Sequence, residues 1–221
     1  MATVCVAAPT VEVVGRAIDA DSHRAAELLE KAEDNGIVTL VGHRVRFVHP
    51  LLAHGMYTNV PAAQRRRMHR RLAAIFDEPE LRARHLALAT TSGDRATLQS
   101  LDAGAEAARL RGAPAAAVEL LDLAFGLGGD TPERRIRLAL YHFSAGHPGR
   151  ARALLEVTIR DLSPDHLRAD AVSLLAVMGL LNGIFPETAS LLKQALNESG
   201  EDHSHRAQVL IALSFARLNF G

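Results

Sequence analysis

Three glycines bring three near-copies of one pattern into register. When Gly112, Gly146 and Gly183 are superposed, Leu120-Leu121, Leu154-Leu155 and Leu191-Leu192 also superpose, each pair beginning eight residues after its glycine. The offsets are 34 and 37 residues. Five residues after each glycine stand Ala117, Ala151 and Thr188, and seven later Ala124, Thr158 and Ala195, all small enough for close helix crossings. A chain built this way buries its apolar surface by stacking one helical hairpin on the next. Chance periodicity in an Ala- and Leu-rich helical chain is the competing explanation.

A unit of this length, with a glycine turn between two helices and small residues at the contacts, is the tetratricopeptide pattern. Aromatic residues make up only 4% of the chain and Trp is absent, so the copies lack most of the aromatics usual in that repeat and are degenerate. The expectation is an α-solenoid of tetratricopeptide-like hairpins over residues 77–221. At its end Ala212, Phe215, Ala216 and Leu218 to Phe220 predict an apolar helix stopping at Gly221, where the next turn glycine belongs. The array is therefore expected to stop halfway through a hairpin, and a homodimer through that end is one expected outcome, with a fold-back of the helix as the bland one.

The first 76 residues have a different texture. Pro9-Thr10 precede Val11, Val14 and Ile18 at helical spacing, predicting a short helix that ends between Arg16 and Asp19. Ser22 is the expected cap of a second helix with the stripe Ala25, Leu28, Leu29 and Ala32, stopped by Gly36. Ile37–Val41 and Arg44–Val48 flank Gly42-His43 and predict a β-hairpin. Pro50 and Pro61 open further helices, the latter with Met68, Leu72, Ile75 and Phe76 on one stripe. Helix, helix, hairpin, helix is the order of a winged helix-turn-helix module followed by a connecting helix. The expected fold is thus mainly α, with domains 1–76 and 77–221.

Charge is distributed unevenly. Twenty-five basic and 25 acidic residues cancel over the chain, which excludes a protein that coats polyanions with its whole surface. Residues 35–76, however, contain Arg44, Arg46, Arg65, Arg66, Arg67, Arg70 and Arg71 and no Asp or Glu. Arg44 and Arg46 alternate onto one face of the hairpin, and Arg65 to Arg71 lie opposite an apolar stripe, an arrangement suited to phosphates or an acidic protein surface. A solvated amphipathic face, or one docked on the chain's own acidic helices, accounts for the same pattern. Arg outnumbers Lys 23 to 2, a bias that suggests a GC-rich bacterial genome.

Little in the sequence suggests catalysis. Cys5 is the one cysteine, which allows no internal disulfide and fits a reducing compartment, so a cytoplasmic location is expected. The eleven histidines lack metal-ligand spacing, and His203-Ser-His205 falls in an expected loop. No GxxxxGK[ST] or GxGxxG is present, and Gly126-Leu-Gly128-Gly129 lacks the strand and lysine of a phosphate cradle. The longest apolar stretch, Val172 to Leu181, is about half the length of a spanning helix, so no membrane partner is expected.

The run Val45-Arg-Phe-Val-His-Pro-Leu-Leu52, with Pro61-Ala-Ala-Gln-Arg-Arg-Arg-Met-His-Arg-Arg-Leu72 and Arg82-Ala-Arg-His-Leu-Ala-Leu88, resembles the centre of the LuxR-type large ATP-binding regulators, bacterial members of the STAND signalling ATPases. Arg111-Gly-Ala-Pro-Ala-Ala-Ala-Val-Glu-Leu-Leu121 is similar to their helical repeats, so the resemblance runs from about residue 10 onward. It implies a winged-helix domain and a tetratricopeptide-like sensor, without the nucleotide-binding core or the C-terminal DNA-binding domain. It also implies that His49 faces nucleotide phosphates when an ATPase core is supplied; equally, His49 fits as the N-cap of the helix from Pro50. ATP or ADP belongs to that core, and no cofactor is expected in the isolated chain.

The expected function is a non-catalytic regulatory portion that binds a protein or small effector through its repeats. One rival is a self-contained winged-helix DNA-binding regulator, against which Glu27, Glu30, Glu33 and Asp34 make the second helix acidic. Another is a tetratricopeptide-type scaffold in which the winged helix is only a cap. DNA binding, where it occurs, is expected to be weak and nonspecific.

Overall fold

The computed structural model describes residues 9–181, 185–200 and 203–220. Among them are twelve helices and one two-stranded antiparallel sheet, so the protein is mainly helical. Packing divides the chain into two compact units, the first running to Gly104 and the second starting at Ala105. The first unit thus extends beyond the expected boundary at residue 76, because a helix at Pro79–Leu88 packs on the one before it.

In the first unit α1 (Val11–Ile18) starts where Thr10 Oγ1 accepts the Val13 N–H at 3.2 Å. It ends at Asp19, the one non-glycine residue with positive φ (61°) among those described. For α2 (Ser22–Asp34) the cap is Asp21, not Ser22: its carboxylate accepts the Arg24 N–H at 2.8 Å, a stronger charge-assisted bond one residue earlier. The hairpin β1 (Val38–Val41) and β2 (Arg44–Phe47) pairs as its sequence predicts, with Val38 opposite Phe47 and Val41 opposite Arg44. Residues 9–11 add a short third edge to β2, through Val45 N–H to Pro9 O at 2.9 Å and Val11 N–H to His43 O at 3.0 Å. The helices α3 (Pro50–Thr58), α4 (Ala62–Ile75) and α5 (Pro79–Leu88) follow. Val14, Ala17, Leu29, Val38, Val45 and Leu72 form the core, each withdrawn from water by roughly 1.5–3 kcal/mol when fully buried, except the smaller alanine. Met68, Ile75 and Phe76, the other members of the predicted α4 stripe, pack against it.

From α6 (Arg95–Leu110) the chain continues as α7 (Pro114–Gly126), α8 (Pro132–Ser144), α9 (Pro148–Asp161), α10 (His166–Leu181), α11 (Phe185–Glu198) and α12 (His203–Phe220). The α6–α7 and α8–α9 turns are built alike. Gly112 and Gly146 take φ of 78° and 81°, which costs glycine little, and each following residue donates to a carbonyl five residues back (Ala113 to Ala108 at 2.9 Å, His147 to His142 at 2.8 Å). The third aligned glycine, Gly183, lies outside the described residues, as do Cys5 and Gly221. The register read from the sequence recurs in the burial: Ala117, Ala151 and Thr188 are buried, as are Leu121, Leu155 and Leu192, and Ala124, Thr158 and Ala195. No described helix is long and apolar enough to cross a membrane.

Candidate functional site: the arginine-rich region of the first unit

The seven arginines of residues 35–76 separate into two groups once their surroundings are known. On β2, Arg44 and Arg46 alternate with buried Val45 and are exposed, facing outward with their cross-strand neighbours Val41 and Thr39. On α4, Arg67 and Arg70 are exposed and Arg66 is half-buried. None of these five makes an ion pair among the described residues.

Arg65 and Arg71 differ from these five in having backbone carbonyls as partners, Arg65 half-buried and Arg71 still exposed. Arg65 Nη1 donates to the carbonyls of Tyr57 (3.2 Å), Thr58 (3.3 Å) and Val60 (2.9 Å), and its guanidinium lies 5.1 Å from the centre of the Tyr57 ring. It closes the carboxyl end of α3, where unpaired carbonyls and the helix dipole favour a cation. Arg71 Nη1 donates to Ala17 O at 3.2 Å near the end of α1, while Arg16 of α1 returns the contact to Ile75 O at 3.3 Å at the end of α4. A long side chain on the polar side of a helix can reach round it to a neighbour's carbonyls, which an opposite-the-stripe argument misses.

His49 caps α3: its Nδ1 accepts the Leu51 N–H at 3.1 Å and the ring is exposed. The helix it starts buries none of its residues, leaving Leu51, Leu52 and Met56 exposed. On α2 the acidic surface foreseen from the sequence is present, with Glu27 paired to Arg24 at 2.9 Å and to His23 at 3.4 Å.

Sequence reasoning did not find the most closely coupled polar group of this unit. Tyr57 Oη lies 3.0 Å from His69 Nε2, and His69 Nδ1 lies 3.0 Å from His85 Nδ1. The two imidazoles are stacked with centres 5.2 Å apart, and Phe76 stacks on the far side of His85 at 5.3 Å. Both histidines are buried, at 2% and 3% exposure. Burial pushes His85 down to about 4, helped by His69 and Arg84; burial, then Arg65 and Arg84, also hold His69 below its ordinary value. The pair can therefore join α3, α4 and α5 as neutral rings, with no carboxylate beside it to make either ring a base. Histidines weighed only as metal ligands give no sign of this, although His69 falls on the same α4 stripe as Leu72 and Phe76.

Polar groups of the second unit tie helices together. Tyr141 Oη donates to Glu106 Oε2 at 3.1 Å, and Arg109 binds the same carboxylate through two nitrogens at 2.6 and 2.8 Å. The Arg109 contact holds Glu106 below its usual range, and burial pushes Tyr141 up to about 12. Among the described residues no group of three His, Cys, Asp or Glu side chains is placed to hold a metal ion. No protein-family model, curated protein or solved structure matches the chain.

Proposed function

We propose that this chain is a non-catalytic regulatory module: a winged helix-turn-helix unit followed by an α-solenoid of tetratricopeptide-like hairpins that binds a protein or a small effector, as the central part of a LuxR-type large ATP-binding regulator would. The observation that carries the proposal is the common register of Ala117/Ala151/Thr188, Leu121/Leu155/Leu192 and Ala124/Thr158/Ala195, all buried, with each set stepping by 34 and then 37 residues. Stacked copies of one hairpin give an extended surface with no deep catalytic cleft, the usual basis of recognition by such arrays. A further support is a second series at nearly the same spacing, 34 and 38 residues. Arg134, Arg168 and Arg206 stand in the first turns of α8, α10 and α12 and donate back to Gly129 O, Ile159 O and Leu196 O, closing each hairpin on the one before.

In this proposal ATP chemistry lies with a separate nucleotide-binding core, and a cytoplasmic location follows from that role. Calorimetric titration with ATP tests it: no binding tighter than about 100 µM is expected, whereas micromolar affinity lost in His49→Ala would overturn it. DNA tests the self-contained regulator. Weak, sequence-independent binding that falls alike for all sequences in an Arg66→Ala/Arg67→Ala/Arg70→Ala variant fits the proposal, while a preferred operator held at about 200 mM salt would replace it.

A further inference from the structure

Helix α4 presents two unlike sides. Met68, Leu72, Ile75 and Phe76 pack with the core of the first unit, and His69 and Ala73 beside them are buried. On the opposite side Ala63, Arg66, Arg67, Arg70 and Ala74 share an arc of about 100°. Arg66 is half-buried and the other four are exposed. Arg71, at the edge of this side, is engaged by Ala17 O, and Arg65 points away from it to the end of α3. The side chains of Arg66, Arg67 and Arg70 make no hydrogen bond or ion pair among the described residues, and Asp77 and Glu78, the next acidic residues along the chain, pair with none of them. Arg66 and Arg70 are four residues apart and Arg67 and Arg70 three, so three like charges sit within about 6 Å of helix, at spacings where they repel. The fold carries that repulsion with no counterion of its own in the described chain.

We propose that this side of α4 docks an acidic helix of a partner protein, whose carboxylates, one turn apart, are taken by Arg66, Arg67 and Arg70. A guanidinium presents a planar fork that matches a carboxylate through two parallel hydrogen bonds, which a lysine cannot do. Carboxylates three or four residues apart on a facing helix repeat at about the spacing of these arginines. Ala63 and Ala74 bracket the cluster, and small residues at the ends of a contact let two helix backbones approach closely. Nucleic acid fits the cluster less well. Three guanidiniums meet about three phosphates, whereas DNA contacts that hold at physiological salt neutralise about six to ten. An acidic partner also removes the repulsion among the arginines, so complementary charge adds to the contact and excludes basic partners. The proposal goes beyond the role assigned to the hairpins and depends on no part of it.

The probe is a fluorescein-labelled alanine-based peptide of about 18 residues, long enough to be partly helical alone, with glutamates along one stripe. A second peptide spreads the same number of glutamates round the helix. In about 150 mM salt the full chain is expected to bind the striped peptide at least about tenfold tighter than the spread one. The Arg66→Ala/Arg67→Ala/Arg70→Ala variant should lose about tenfold or more in affinity while its thermal midpoint stays level or rises, because the like-charge pairs are gone. Arg44→Ala/Arg46→Ala should bind as the wild type does, which assigns the contact to α4 and not to the hairpin. Equal affinity for the two peptides would mean charge attraction without a docked helix and overturn the proposal. So would undiminished binding by the α4 variant, an equal loss in the hairpin variant, or a duplex of about 20 base pairs bound more tightly than the striped peptide at the same salt. A lowered midpoint in the α4 variant would show that the fold already uses these arginines, and counts against it equally. None of these results touches the reading of residues 105–221 as an interaction array, which stands or falls on its own tests.

Discussion

Mild acid should loosen the first unit through one pair of rings. The 3.0 Å contact between His69 Nδ1 and His85 Nδ1 needs one nitrogen to donate and the other to accept, so the accepting ring must be neutral whichever way the hydrogens run through Tyr57. A proton on the accepting ring removes the bond and puts a cation beside Arg65 and Arg84 in a buried site. An unfolded histidine takes its proton near 6.5, whereas folded His85 resists until about 4, so below 6.5 the unfolded chain binds more protons and stability falls with pH until both states are protonated. A shift of that size corresponds to about 3 kcal/mol at the acid plateau, and to about 2 kcal/mol by about pH 5, from His85 alone. His69, lowered for the same reason, adds in the same direction. Urea unfolding followed by circular dichroism at about pH 7.5 and about pH 5, on the wild type and on a His69→Phe/His85→Leu variant, isolates the pair from the chain's other histidines. The wild type should lose about 2 kcal/mol more than the variant between those pH values. An equal loss in both proteins would refute the reasoning.

Leu121, Leu155 and Leu192 fall at one position of the sequence alignment and are all fully buried, so if the proposed repeats share a register, replacing each with Ala should cost about 2–5 kcal/mol by urea unfolding, alike within about 1 kcal/mol; one value well below the others would show that the register is not shared. Gly104→Ala would set a methyl group 3.0 Å from Ala83 Cβ and 3.1 Å from Pro79 O, which should destabilise the first unit by about 1–3 kcal/mol. Gly55→Ala, in mid-α3 with nothing within 4 Å, should stabilise that helix by about 0.5–1 kcal/mol, read as slower amide exchange; a neutral Gly104→Ala or a destabilising Gly55→Ala would contradict the packing described. Arg65→Lys keeps the charge but not a planar donor that can serve three carbonyls, and should speed amide exchange across residues 50–58.

Local rules carried the sequence analysis far where the deciding atoms are close in sequence. The hairpin register, the stop at Gly36 and the Pro50 helix start each depend on residues within one turn, and so does the α2 cap, where two adjacent candidates left an error of one position. The alignment of the three copies was legible because buried small residues and leucines recur at offsets of 34 and 37 residues, which alignment detects without knowing any contact. The histidine pair was not legible: its meeting depends on how α4 and α5 cross, and an isolated histidine carries no mark of a partner sixteen residues away. The carbonyl partners of Arg65 and Arg71 were not foreseen for a related reason, since the direction of a long side chain is set by where carbonyls end nearby as well as by the stripe it opposes.

The arginines that clasp helix ends also bear on the order in which the protein can fold. Arg65 reaches back five residues to Val60, Arg134 five to Gly129, Arg168 nine to Ile159 and Arg206 six to Gly200. Each such clasp closes a short loop at small entropic cost and can form as soon as its own two helices exist. Contacts of this kind keep sequence separations low, the condition under which helical chains fold fast and segment by segment. Arg16 and Arg71 are the exceptions, since their carbonyls lie 59 and 54 residues away. They can close only after α1, the hairpin and α4 have come together, so sealing the first unit is a late and slow event, while hairpins of the second can assemble without waiting for it.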